Sequence, residues 1–242
     1  MIKKKISGTK IIRTIIFTNV FFFIISLILS GSKLKLTLHP LTALTPSTDS
    51  LISLGASGTI PVDYHHAWWS FVTANFLHGS LLHILFNMLA FNQVASLIST
   101  VYGKYRMYII FIISGVSGFM LSYLTGTQLT IGASAAICGL IGATLYYGKS
   151  RGGFLGDAIY RQTIGLVIFI VVFGILIPNI DNMGHGGGFI SGIFLAWLLG
   201  YNEKKKENKY HFVLSVTLMI ITVFILIWSL LSYKSYIINY LT

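Results

Sequence analysis

A chain of 242 residues that is 55% hydrophobic and only 10% charged, with mean hydropathy +0.79, is excluded from the ordinary soluble class, where about a quarter of residues are charged. Its net charge of +11 would suit a nucleic-acid partner, but the basic residues sit in short stretches between apolar runs, which assigns them to membrane topology and leaves no nucleic-acid face. The single cysteine, Cys138, excludes an intramolecular disulfide.

In chain order, the first element is Met1-Ile2-Lys3-Lys4-Lys5 followed by a long apolar run without a small-residue cleavage site, so it reads as a retained helix over 11–30 rather than a signal peptide. Six further spans are expected at 80–100, 107–125, 132–148, 162–178, 185–201 and 211–232, each near the roughly 20 residues a bilayer requires. The expected fold is an all-α polytopic transmembrane helix bundle forming one membrane domain. With the N-terminus cytoplasmic, 14 of the 17 Lys and Arg residues fall in inner segments; Lys33, Lys35 and Lys234 fall outside. That asymmetry satisfies the positive-inside rule and places the C-terminus outside. Asp157 and Asp181 are both expected in loops, the latter because Pro178 interrupts the helix. The charged link Glu203–Lys209 makes the seventh helix look like an appendage.

The outer segment 31–79 is long. Its first part, Thr42 to Pro61, is polar and reads as flexible, whereas His65-His66-Ala67-Trp68-Trp69-Ser70-Phe71 is aromatic and suited to the membrane interface.

Polar residues inside spans are costly and mark function or helix–helix contact. His83 and Asn87 are four apart and share a helical face, while His78 lies about 140° round from His83. Ser134 opens the fourth span at a helix N-terminus, where unpaired N–H groups can stabilise an oxyanion. His185 opens the sixth. The second, fourth and sixth spans run in one direction, so Ser134 and His185 share a depth near the outer face. Small residues Ala135, Gly139 and Gly142 on one span, and Gly188 and Gly192 on the other, permit the approach to roughly 3 Å that a base needs to activate a serine.

Residues His78–Asn87, Tyr102-Gly103-Lys104, Ser114–Gly118, Gly132–Gly142 and His185-Gly186-Gly187-Gly188 together resemble the rhomboid family of intramembrane serine proteases, over about residues 65–200. The resemblance implies a six-helix core, here with a seventh C-terminal helix, and hydrolysis of single-span or polytopic membrane protein substrates within the lipid bilayer. It implies Ser134 as nucleophile and His185 as general base, with His83, Asn87 and the Ser134 N–H as oxyanion donors. No metal and no cofactor are implied. Three positions depart from the family pattern: Ala135 stands where Gly is usual, Cys138 where an aromatic residue usually stacks on the base, and Ser70 where Arg often follows the loop tryptophan.

Other classes fit less well. A metalloprotease of the His-Glu-x-x-His type lacks its motif, an aspartyl protease lacks membrane aspartates, and a transporter would show repeats or broken helices. The alternative that survives is a proteolytically inactive rhomboid-like protein that binds transmembrane helices. The Lys-rich tails point to a bacterial plasma membrane.

Overall fold

The structure, a computed structural model, describes residues 2–37, 42–178 and 180–241. Residues 38–41 of the long segment, and the side chains of Lys3, Lys4, Lys5 and Lys234, lie outside the described residues.

Among the described residues, seven long helices form the bundle: α1 (Ile2–Ser30), α4 (Leu81–Val101), α5 (Lys104–Leu124), α6 (Ser134–Arg151), α7 (Gly153–Leu176), α8 (Asn182–Leu199) and α9 (Lys209–Leu241). Two short helices, α2 (Thr48–Ser53) and α3 (Ser70–Thr73), lie in the segment between α1 and α4. Among the described residues, five helices are long and apolar enough to cross a membrane by composition alone, and α6 and α8 are not among them. Glycine, alanine and serine make these two less apolar. Those small residues suit helix contact rather than lipid, and α6 is the most enclosed helix of the bundle. By contrast α7 turns Ile168, Phe169, Ile175 and Leu176 outward, as a lipid-facing helix must.

Contact between α6 and α8 is made by backbone. A Cβ on Gly188 would be driven into the Ala135 carbonyl, and one on Gly192 into the Gly139 carbonyl. Gly142 meets Phe189 in the same way. Larger residues here would separate the two helices, which fixes the distance between their N-terminal ends.

Several boundaries differ from expectation. Helix α6 runs on to Arg151 and α7 starts at Gly153, because Gly152 and Gly153 at φ 64° and 67° turn the chain within two residues. The expected inner loop is therefore helical, and Asp157 is an exposed residue of α7 rather than of a loop. Helix α8 begins at Asn182, so His185 sits within its first turn.

The stretch 42–61 is ordered, not flexible. Ser47 caps α2 by accepting from the Ser50 N–H, and Ser30 and Ser50 share a hydrogen bond that ties α2 to the end of α1. Leu51, Leu54, Ala56 and Val62 are buried. The chain then pairs with the residues that lead into α6: Ser57 and Thr130 exchange two backbone hydrogen bonds, and Thr59 donates to Thr127. Nor is α9 an appendage. His211, Ser215, Thr222 and Ser229 form a buried polar stripe along it, with Thr222 bonded to the Tyr108 hydroxyl and Ser229 donating to the Leu54 carbonyl.

At the other end of the bundle Arg106 is completely buried. Its guanidinium donates to the carbonyls of Tyr102, Leu199, Gly200 and Lys205 and to Asn202 Oδ1. Glu207 accepts from the N–H groups of Tyr105 and Arg106, closing the first turn of α5. Together the two residues tie the start of α5 and the end of α8 to the segment that leads into α9.

Candidate active site

Ser134 is the first residue of α6, and no side chain caps that helix; the residue before it, Ala133, has no capping group. The first N–H groups of the helix therefore remain available to a ligand. Gly132 enters the turn at φ 122°, a conformation other residues rarely adopt, and donates its N–H to the Ala74 carbonyl.

His185 reaches Ser134 across the α6–α8 contact. Its Nε2 lies 2.8 Å from the Ser134 Oγ. With the serine donating to Nε2, the proton of the neutral ring resides on Nδ1, which is buried and has no hydrogen-bond partner among the described residues. Both side chains are partly buried.

His83, on α4, approaches Gly132. Its Nδ1 accepts from the Gly79 N–H at 3.3 Å, which leaves Nε2 as the proton-bearing nitrogen of the neutral ring. That Nε2 lies 2.8 Å from the position a Cβ would take on Gly132, so it presents a neutral donor beside Ser134. Ser80 caps α4 by accepting from the His83 N–H and so sets the start of this face. Asn87 is buried one turn further along and donates from Nδ2 to the His83 carbonyl, with its Oδ1 unpartnered. The structure thus brings Ser134, His185 and His83 to one place. It shows Asn87 on the same helical face as His83, with its amide bonded to the His83 carbonyl.

His78 is fully buried, and its ring packs edge-on against His83 at 4.9 Å. Burial, and secondarily the proximity of His83, holds it well below the ordinary histidine value of 6.5. A histidine depressed in the folded state contributes its full stability above pH 6.5. That stability is lost as pH falls below 6.5, where the unfolded chain binds a proton that the folded chain refuses, by at most about 1.4 kcal/mol per pH unit. The thermal midpoint in detergent is expected to fall between pH 7 and 5, and His78→Phe, which keeps a ring against His83, is expected to flatten the fall. An equally steep fall in the variant would show that His78 titrates normally.

Cys138, where the family places an aromatic residue, is buried in α6. Ser70 is also buried and donates to the Ser57 hydroxyl, so it belongs to the packing under the long segment. Trp68 is half exposed and meets the rings of Phe71 and Tyr123 edge-on.

Asp181, expected in a loop, is the residue that caps the start of α8. Its carboxylate accepts from the Gly184 N–H and from the hydroxyls of Ser122 and Thr130. An aspartate ahead of an apolar run is a helix-start signal, and that was the available clue.

A family model described as the Rhomboid domain matches residues 65–202. Rhomboid protease GluP of Bacillus subtilis is 34% identical over 154 residues, covering 64% of this chain and 30% of the relative. RHOMBOID-like protein 5 of Arabidopsis thaliana is 29% identical over 195 residues, covering 69% and 60%. RHOMBOID-like protein 1 of the same plant is 28% identical over 203 residues, covering 74% and 52%. The chain therefore spans between 30% and 60% of the length of these relatives. The matched domain takes in more than half of the chain and holds Ser134, His185, His83 and Asn87, and the chain belongs to the rhomboid family of integral membrane proteins.

Proposed function

We propose that this chain is an intramembrane serine endopeptidase that cuts transmembrane protein substrates with a Ser134–His185 dyad. The observation that carries the reading is the 2.8 Å approach of His185 Nε2 to Ser134 Oγ at the uncapped start of α6, with a donor nitrogen of His83 beside it.

The reaction follows from those positions. His185 takes the Ser134 proton as Oγ bonds to the scissile carbonyl carbon. The carbonyl oxygen becomes an oxyanion, met by the His83 Nε2–H, the Asn87 amide and the Ser134 N–H. His185 returns the proton to the departing amine as the C–N bond breaks. Water activated by the same histidine then hydrolyses the acyl-enzyme. Neutral donors suit a site among membrane helices, where a buried unpaired charge is expensive. In this reading the end of the bundle that holds the site faces outward, with the N-terminus cytoplasmic and the C-terminus outside, in a bacterial plasma membrane; the Lys and Arg bias of the expected inner segments supports that orientation.

The test is a labelled fluorophosphonate, with cleavage of a panel of single-span substrates by purified wild type and Ser134→Ala. Expected are labelling of Ser134, cleavage by wild type alone, and cuts near the outer face by mass spectrometry. A folded wild type that takes no probe and cuts no substrate would overturn the proposal in favour of an inactive helix-binding member of the family.

His83→Ala and Asn87→Ala are each expected to lower kcat by about 10²-fold, the smaller end of the effect of one oxyanion donor, with Ser134 still accepting the probe. Turnover equal to wild type in either variant returns that residue to helix–helix contact.

A further inference from the structure

We infer that Asp181 is a positioning residue that holds the base and the nucleophile in register through one carboxylate. The inference rests on the proposed Ser134–His185 dyad. Three elements meet at this side chain. Oδ1 accepts from the Gly184 N–H at 2.8 Å, and Asp181 caps α8 by that bond. Oδ2 accepts from the Thr130 hydroxyl at 2.6 Å and the Ser122 hydroxyl at 2.5 Å. Gly184 adjoins His185, Thr130 lies four residues before Ser134, and Ser122 belongs to α5.

Each arm ends on something rigid. Thr130 is held from behind by its two backbone hydrogen bonds with Ser57. Ser122 is completely buried in the last turn of α5. The Asp181 carbonyl also accepts from the His185 N–H, so the residue grips the base's own turn twice. Lower down, the glycines where α6 and α8 meet set how close the two helices come, and the first turn of α8 also packs on α5, where a Cβ on Gly118 would meet the Gly184 carbonyl. The two carboxylate oxygens add a directional restraint to that packing, since one faces the base's helix and the other the segment that delivers the serine.

A hydroxyl-to-carboxylate hydrogen bond is stronger and more directional than one between neutral groups. Losing an arm lets His185 shift relative to Ser134, and a misplacement of about 1 Å costs up to about 10²-fold in rate. The effect should fall on kcat, because Asp181 is not among the groups proposed to meet the scissile bond and acts through His185.

The experiment uses the full chain in detergent below the thermal midpoint of every variant. Thr130→Val and Asp181→Ala are each expected to lower kcat by about 10-fold or more with KM within about twofold. Thr130→Ser, which retains the hydroxyl, should recover the loss seen in Thr130→Val. The double variant Asp181→Ala/Thr130→Val should be no slower than Asp181→Ala, because both remove one connection. The ring ¹⁵N resonances of His185 should move in Asp181→Ala and Thr130→Val and return in Thr130→Ser, a readout that needs no turnover. Should Asp181→Ala fail to fold, Thr130→Val and Ser122→Ala carry the test. Folded Thr130→Val and Ser122→Ala with wild-type kcat and unmoved His185 resonances would overturn the inference while an active wild type left the protease reading intact. An inert wild type whose His185 resonances still respond would instead sink the protease reading and leave the positioning role standing.

Discussion

Ser134→Ala and His185→Ala are each expected to abolish cleavage, and the double variant to be no worse than either alone. The two side chains share one hydrogen bond of 2.8 Å and one proton, so each is without use when the other is missing. Losses from residues that act as a unit do not add. Both substitutions remove atoms at a partly buried site and leave the glycine contact between α6 and α8 untouched, so the fold should persist. Turnover with a quantified cleavage assay and thermal midpoints for all four proteins make the check. Undiminished cleavage by either single variant would remove that residue from the reaction.

The second large effect is expected far from the site. Arg106→Leu should destabilise the bundle by about 3–5 kcal/mol. The side chain is buried and occupies four carbonyls and one amide oxygen, and an acceptor left buried without a partner costs about 1–3 kcal/mol. Several would be orphaned together, among them the carbonyls of Leu199 and Gly200 that end α8, and rehydration recovers only some of the loss. Arg106→Lys retains the charge but not the planar fork of donors, so an intermediate loss is expected. Reversible denaturation in mixed micelles measures both, and a Leu variant within about 0.5 kcal/mol of wild type would show that water replaces the guanidinium.

The long helices and the three polar side chains that meet at the site were legible in the sequence for two reasons. A run of about 20 apolar residues has few alternatives to a membrane helix, so His83 stands out within one, and the less apolar α6 and α8 show themselves by small-residue stripes behind Ser134 and His185. The ordered stretch 42–61 was not legible. Its serines and threonines look like those of a flexible linker, yet Ser47 caps a helix, Ser57 pairs with Thr130, and Ser50 bonds to Ser30. Composition does not say whether a hydroxyl faces water or a backbone. Arg106 was counted as a topological charge in a loop, because most of its partners are backbone carbonyls, which leave no mark on residue identity. Asp181 reads in the sequence as a loop aspartate, and the groups that donate to its carboxylate are spread over 122, 130 and 184, so only the folded chain brings them together.

The bond from Ser229 to the Leu54 carbonyl spans 175 residues. Together with the Ser57–Thr130 pair and the Asp181 contacts, it gives this bundle an order of assembly. A chain made from its N-terminus presents Ser134 well before it presents His185, and α9, later in the chain than either, locks the segment that braces the serine. Contacts so distant in sequence form late, since the loops between them must close first. Until α8 and α9 have joined the bundle, Ser134 stands without His185 beside it and without the bond that holds its bracing segment.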